Sequence, residues 1–251
     1  MDLTEAAHQR PDPLRQILEA DGMTPAEDKL ASLNAAFHQD DVLLQVPAGY
    51  SGASPIRLVH LHGAPAGSAF FPLTVITVAA GSTVTVIDEY ASLEPEGTTG
   101  AHLINARIEL VIEPDAKVHY VRLQRWGKHA REFLLQRAHL SKGASLTMAN
   151  LNLGAALSKA HIVTRFTGAG SSSQLYGFVF GHDQQHIDQH TLQDHLAPNT
   201  TSDLQFKAAL QDSSRMIYTG LIRIAKAAQR TNAFQANHNL LLGRKASAET
   251  L

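Results

Sequence analysis

A short turn–strand unit recurs four times between positions 81 and 175, and this repeat constrains the fold more than any other feature. Each copy opens with a turn pair: Gly81-Ser82, Asp115-Ala116, Gly143-Ala144 and Gly170-Ser171. The residues three and five places after the first turn residue are mainly apolar, as Val84 and Val86 are after Gly81, and the residue between them is polar. Such alternation indicates a strand with one buried face and one exposed face.

The spacing of the copies favours a solenoid over a β-sandwich. Successive turn pairs lie 34, 28 and 27 residues apart, and a near-constant period of this size is typical of stacked architectures. The alternative, an antiparallel sandwich, also has short alternating strands, but these recur roughly every 8–12 residues. We therefore predict an all-β fold, a parallel β-solenoid, with Val84, Val118, Leu146 and Leu175 buried.

The N-terminal part of the chain is patterned as a helix. Thr24 and Glu27 have the spacing of a capping box. An apolar stripe at helical spacing follows, formed by Leu30, Leu33, Ala36 and Phe37. We therefore predict a helix over 25–38 and divide the chain into an N-terminal helical segment, 1–40, and a β-solenoid core, 41–251.

Strand patterns occupy the rest of the chain. We predict strands near 42–46, 56–61, 72–78, 83–89, 104–113, 117–124, 132–140, 145–153, 160–166 and 173–180, with further strand patterns around 204–208, 216–224 and 240–242. The run from Ala64 to Ile87 has no charged residue and is long enough to span a bilayer. Pro65, Pro72 and Gly67 would break a helix there, so we predict strands and no membrane span.

Composition excludes several classes of function. The net charge is -2, which gives no electrostatic case for binding nucleic acid or an anionic membrane. Cysteine is absent, so disulfides, thiolate nucleophiles and cysteine-ligated metals are excluded. The first residues lack the pattern of a secretory signal, and we therefore expect a cytoplasmic protein.

The densest group of potential metal ligands lies between His182 and His195. On an extended strand, His186, Asp188 and His190 project from one face, because alternate side chains share a side. Two imidazoles and one carboxylate are competent ligands for iron or zinc. The same spacing also suits an exposed polar face without metal. His182, His186 and His190 are also spaced for one face of a helix, and that face too could be exposed and polar without binding a metal.

Other catalytic patterns are missing from the sequence. No phosphate-binding loop and no Gly-x-Ser-x-Gly elbow is present. The scattered residues Asp183, Asp188 and Asp194 leave a polysaccharide-active β-helix as an alternative, although such enzymes need paired carboxylates on neighbouring turns. We therefore predict a protein that is not an enzyme, with a metal-binding or polysaccharide-active β-helix protein as the alternative.

Several stretches resemble the SufB/SufD family of iron–sulfur cluster assembly proteins. They are Ala149–Gly154, Phe180–Asp188, His195–Ser202 and, most specifically, Gln229–Leu242. The resemblance is closer to SufD, because the chain lacks the cysteine that SufB uses as sulfur acceptor. It implies a right-handed parallel β-helix and a non-catalytic scaffold subunit of the SufBCD complex, in which ATPase activity belongs to the SufC-type subunit.

The resemblance also implies partners. The family pairs SufB with SufD and docks SufC-type ATPase subunits on C-terminal helical domains. The chain ends before that region of the family, so we expect a core fragment that does not itself bind the ATPase. No catalytic residue of the family has a match here, and we expect no cofactor on this chain, with iron or an iron–sulfur cluster held by the assembled complex.

The C-terminal part of the solenoid is the expected site of subunit pairing. The stretch from Leu204 to Leu251 contains seven Lys and Arg residues but only two acidic residues, Asp212 and Glu249, which gives a local charge of +5. A solvated face explains such a run as readily as a docking surface for an acidic partner. We predict that the 204–245 region binds a SufB-like subunit, with self-association into a homodimer as the competing outcome.

Overall fold

The computed structural model describes residues 29–38, 41–63, 66–93 and 100–251. Within these residues one helix, α1 (Lys29–Phe37), precedes sixteen strands. The strands are β1 (Val42–Val46), β2 (Ile56–His62), β3 (Ala69–Phe70), β4 (Leu73–Val78), β5 (Thr83–Ser92), β6 (His102–Ile112), β7 (Lys117–Arg125), β8 (Ala130–Leu140), β9 (Ser145–Asn152), β10 (Leu157–Phe166), β11 (Ser172–Gly181), β12 (His186–His195), β13 (Thr201–Leu210), β14 (Arg215–Ile224), β15 (Asn232–Leu241) and β16 (Ser247–Thr250).

The strands form two parallel sheets that face each other across a common core. Sheet A has the order β1-β4-β6-β8-β10-β12-β14-β16, with β3 also paired to β6, and sheet B has the order β15-β13-β11-β9-β7-β5-β2. Successive long strands alternate between the two sheets, so each turn of the chain contributes one strand to each sheet. About seven such turns stack into a parallel β-solenoid, as the sequence predicted.

The predicted repeat is the pairing register of sheet B. Val84 pairs with Val118, Val118 with Leu146, and Leu146 with Ser173. The first residue of each turn pair adopts positive φ: 67° at Gly81, 59° at Asp115, 67° at Gly143 and 75° at Gly170. This left-handed conformation explains why glycine dominates the position. Each of these amides donates to a carbonyl of the next turn, as Gly81 N does to Pro114 O over 3.0 Å.

Most predicted elements are confirmed, with differences at several places. Helix α1 lies within the predicted 25–38 span, whereas the capping box at Thr24 and Glu27 is outside the described residues. Strands β3, β12 and β16 were not among the predicted strands, and β15 begins at Asn232, well before the predicted 240–242. In β12 most inward positions are polar, as at Gln189, Thr191 and Gln193. A strand stacked between two others is held by its backbone hydrogen bonds, so its inward side chains need not all be apolar.

The core is a single apolar column between the two sheets. Val84, Val118, Leu146 and Leu175 are each at most 1% exposed, as predicted. The uncharged run that begins at Ala64 contributes strands β3, β4 and part of β5 within its described residues. Among the described helical residues, none forms a segment with the length and hydropathy needed to cross a membrane.

We expect Leu146→Asp to lower the free energy of unfolding by at least about 4 kcal/mol, because it buries a carboxylate among apolar side chains without a partner. The neighbouring Thr147 points to the outer face of sheet B, and Thr147→Asp is therefore the matched control, with an expected cost below about 1 kcal/mol. Urea denaturation followed by circular dichroism measures both. Equal destabilisation by the two substitutions would contradict the inward orientation of Leu146.

Candidate functional site

Strand β12 places the three predicted metal ligands on the outer face of sheet A. His186, Asp188 and His190 alternate with inward residues, as the strand interpretation required. Asp188 lies opposite Lys159 of β10 in the parallel register, and His190 lies opposite His161. The helical interpretation of this segment is wrong, because β12 begins at His186.

The carboxylate of Asp188 is the centre of this group. Lys159 Nζ donates to Asp188 Oδ2 over 2.8 Å, and His190 Nε2 lies 2.8 Å from Asp188 Oδ1. Asp188 is only 9% exposed although it faces outward. Across the part of the chain that the structure describes, no three His, Asp or Glu side chains converge closely enough to hold a metal ion. Coordination of a metal by His186, Asp188 and His190 stays a prediction.

Two further buried carboxylates on the outer face of sheet A are held by arginines. Glu109 accepts hydrogen bonds from Arg107 Nε over 2.7 Å and from Arg137 Nε over 2.8 Å. Asp194 accepts from Arg223 Nε over 2.7 Å. Burial raises the pKa of the Glu109 carboxyl to about 7, and the Arg107 guanidinium opposes that shift. Both carboxylates are fully buried, so these pairs are part of the packing of this face.

The outer face of sheet A is cationic as a whole. Its outward positions from β6 to β16 carry seven Lys or Arg residues and four Asp or Glu residues. The basic residues are Arg107, Arg131, Arg137, Lys159, Arg165, Arg215 and Arg223, and the acidic ones are Glu109, Asp188, Asp194 and Glu249. The face therefore has an excess of three positive charges, whereas the whole chain has a net charge of -2.

The C-terminal basic residues do not form one surface. Arg215 and Arg223 point outward from sheet A and pair with Glu249 and Asp194, whereas Lys207 lies on the outer face of sheet B. Strand alternation and the two-sheet architecture divide these charges between opposite faces. This division favours the interpretation of the basic run as solvated charge.

A polar network in the solenoid interior was not predicted from the sequence. Asp88 Oδ2 accepts hydrogen bonds from Tyr90 Oη over 2.9 Å and from Tyr120 Oη over 2.6 Å, and Asp88 Oδ1 lies 2.9 Å from His60 Nε2. Burial raises the pKa of both tyrosines, and the charge of Asp88 raises it further. The two phenols therefore remain protonated donors that satisfy the buried carboxylate.

A second interior cluster surrounds Glu132. Arg122, which is 1% exposed, forms a salt bridge with Glu132, which is fully buried. Trp126 Nε1 and Ser158 Oγ donate to Glu132 over 2.8 and 2.9 Å. Burial lowers the pKa of Arg122, but Glu132 and the neighbouring tyrosine side chains raise it more, so the guanidinium stays charged. The signal for this cluster in the sequence is that Arg122 and Glu132 are charged residues at inward-facing positions of their strands, where most other residues are uncharged.

Strand β15 presents apolar side chains to solvent at one end of sheet B. Phe234, Leu240 and Leu241 are 57%, 59% and 50% exposed. Within the described residues β15 has one hydrogen-bonded neighbour, β13. The edge and its apolar side chains lie inside the 204–245 region that was predicted to bind a subunit.

Comparison with known families identifies the family to which the chain belongs. The family model described as "SUF system FeS cluster assembly, SufBD core domain" matches residues 60–251, which cover β3 to β16 and the last three residues of β2. The chain belongs to the SufBD family. The resemblance detected in the sequence is therefore confirmed at the level of the family, and the matched range coincides with the stacked turns of the solenoid.

Individual relatives agree with this membership. The chain is 27% identical over 232 residues to an iron-sulfur cluster assembly SufBD family protein of Mycobacterium leprae, a match that covers 89% of this chain and 57% of the relative. It is 23% identical over 249 residues to a SufBD family protein of Staphylococcus aureus, with 99% of this chain and 52% of the relative covered. The chain thus spans little more than half the length of these relatives.

We expect Arg122→Met to lower the free energy of unfolding by about 3–5 kcal/mol, because it leaves Glu132 charged and unpaired in the interior. The matched control is Arg125→Met on the same strand, where the arginine side chain is 53% exposed and pairs with Glu89 on the outer face. Its expected cost is at most about 1 kcal/mol.

Chemical denaturation of both variants and of Arg122→Met/Glu132→Gln tests the interior pair. The double variant is expected to be more stable than Arg122→Met, since it removes the buried charge together with its partner. Equal stability of Arg122→Met and Arg125→Met would contradict a structural role for the interior salt bridge.

Proposed function

We propose that this SufBD family protein is a non-catalytic scaffold subunit of the SufD type in iron–sulfur cluster assembly. The observation that carries the proposal is the match of the SufBD core domain to residues 60–251, together with the complete absence of cysteine. None of these 251 residues can accept sulfur as a thiolate. It can contribute an extended, rigid surface on which other subunits assemble.

The state of the buried carboxylates supports a scaffold rather than an enzyme. Asp88 is held by tyrosine hydroxyls, and Glu109, Glu132 and Asp194 are each held by guanidinium groups. A general acid or base must be able to reach a substrate proton. Carboxylates committed to neighbouring side chains on several turns are better suited to holding those turns together, and this also argues against the polysaccharide-active alternative.

We infer that a SufB-like subunit pairs with the protein through the 204–245 region. The exposed apolar residues Phe234, Leu240 and Leu241 would be covered by such a partner, and a strand with a free edge can accept a further strand. In the assembled complex a SufC-type ATPase would bind to a C-terminal domain of the subunit. An iron–sulfur cluster would be the substrate or product of that complex. Pairing of two copies of this chain through β15 is the competing arrangement.

Affinity capture tests the pairing. The tagged chain is expected to retain a SufB-like subunit and not the SufC-type ATPase when each is supplied alone. Phe234→Asp, which puts a charge into the apolar edge, is expected to weaken capture at least about tenfold, by the penalty for burying an unpaired charge. Phe178→Asp on β11, an exposed aromatic of the same sheet, is the matched control that should leave capture unchanged.

Three results would contradict the pairing. They are capture of the ATPase without the SufB-like subunit, equal effects of the Phe234 and Phe178 substitutions, and concentration-dependent dimerisation of the chain in sedimentation experiments without any affinity for the SufB-like subunit.

We further propose that His186, Asp188 and His190 bind iron or zinc. Their common face on β12 and the 2.8 Å approach of His190 Nε2 to Asp188 Oδ1 favour this second role. Binding would require Asp188 to exchange its contact with Lys159 for the metal.

Metal analysis after purification without chelators is expected to find about one ion per chain, lost in His186→Ala/His190→Ala because two of three ligands are removed. His182→Ala, which changes a histidine in the adjacent turn, is the control and should keep the ion. Wild-type protein that carries no metal after growth with added iron and zinc, or a double variant that retains it, would refute this role.

A further inference from the structure

A cavity of about 230 Å³ lies between helix α1 and the outer face of sheet A. Helix α1 is attached to this face by reciprocal amide hydrogen bonds: Asn34 Nδ2 donates to Asn105 O over 2.7 Å, and Asn105 Nδ2 donates to Leu30 O over 2.8 Å. The cavity is smaller than the roughly 300–1,000 Å³ of pockets for drug-sized ligands. Its volume suits a small molecule.

Among the residues that the structure describes, the ionisable groups that line the cavity are all basic. They are Arg107, Lys159, His161 and His190, and none of the described lining residues is a carboxylate. Glu109 and Asp188, which pair with Arg107 and Lys159, stay outside it. Because the surrounding face of sheet A also has an excess of positive charge, the cavity offers an anion a favourable potential. Lys159 can donate further hydrogen bonds while it keeps its contact with Asp188.

One wall of the cavity carries a buried acceptor that has no donor among the described residues. Asn34 is 1% exposed, and its Nδ2 group donates to Pro72 O and Asn105 O. Those two carbonyls fix the orientation of the amide, because only the NH2 group can donate to them. Its Oδ1 atom has no hydrogen-bond partner among the described residues. A ligand with an O–H or N–H group would satisfy this oxygen, which is otherwise costly to bury.

We propose that this cavity binds a small organic acid that has an apolar body and a hydrogen-bond donor next to its carboxylate. The carboxylate would contact Lys159, the donor would reach Asn34 Oδ1, and the apolar body would pack against Leu30, Phe133 and Leu135, which form the apolar walls. The proposal does not depend on the assembly role, because a scaffold subunit and an unrelated protein could each carry such a site.

Three matched probes test the chemistry of the site: 2-hydroxy-4-methylpentanoate, 4-methylpentanoate and 2-hydroxy-4-methylpentanamide. Isothermal titration on metal-free protein is expected to give saturable binding of the hydroxy acid. Loss of the hydroxyl should weaken binding several-fold, and loss of the charge should weaken it about tenfold, as expected for one neutral and one charge-assisted hydrogen bond. Absence of saturable hydroxy acid binding, or equal affinity for all three probes, would overturn the proposal.

Two variants and one control locate the binding. Lys159→Met removes the charge and should weaken binding of the hydroxy acid about tenfold, whereas Phe133→Trp fills the cavity and should abolish binding without changing its charge. Lys207→Met removes a lysine from the opposite sheet and should leave the affinity unchanged. Thermal melting confirms that each variant folds. A folded Phe133→Trp protein that still binds, or equal weakening by the two lysine substitutions, would place the ligand elsewhere and refute the site.

Discussion

The structure depends on the parallel register, which brings each residue next to the residue at the same position of the following turn. Val84, Val118 and Leu146 form one inward column because backbone hydrogen bonds pair their strands without offset. The same rule applies to polar residues. An inward carboxylate needs partners on its own turn or on the adjacent turns, since it is shielded from bulk solvent. Register therefore controls both the apolar core and the buried polar clusters.

The interior clusters show how the solenoid accommodates polar residues at apolar positions. Asp88 is satisfied by Tyr90 on its own strand and by Tyr120 on the next turn, and Glu132 is satisfied by Arg122 across the core. Such pairs are costly to break because each partner left behind is buried and unsatisfied. They therefore specify which strands stack against which, whereas the apolar column supplies most of the free energy that is gained by burying apolar surface.

The two outer faces differ, and the difference separates the proposed roles. Sheet A carries the cationic face, helix α1, the cavity and the His186–His190 group, whereas sheet B ends at the apolar edge of β15. Subunit pairing at β15 would leave the outer face of sheet A accessible to small ligands. A scaffold built in this way can use the end of its sheet for assembly and a face for recognition, because a solenoid has surfaces of independent chemistry.

The sequence by itself determined the solenoid, because each coil repeats a turn with positive φ and a strand with alternating polarity. Both leave local sequence patterns: glycine at the turns, as at Gly81 and Gly143, and an apolar residue on the inward face of the strand, as at Leu146. It also indicated that His186, Asp188 and His190 would share a face if their segment formed a strand, since alternation is a property of a single strand. Only the tertiary structure decided that Lys159 holds Asp188, that Arg122 meets Glu132, and that Asn34 and Lys159 line one cavity. These contacts join residues on different turns or elements, and their partners depend on stacking register and on the docking of α1, which no local pattern encodes.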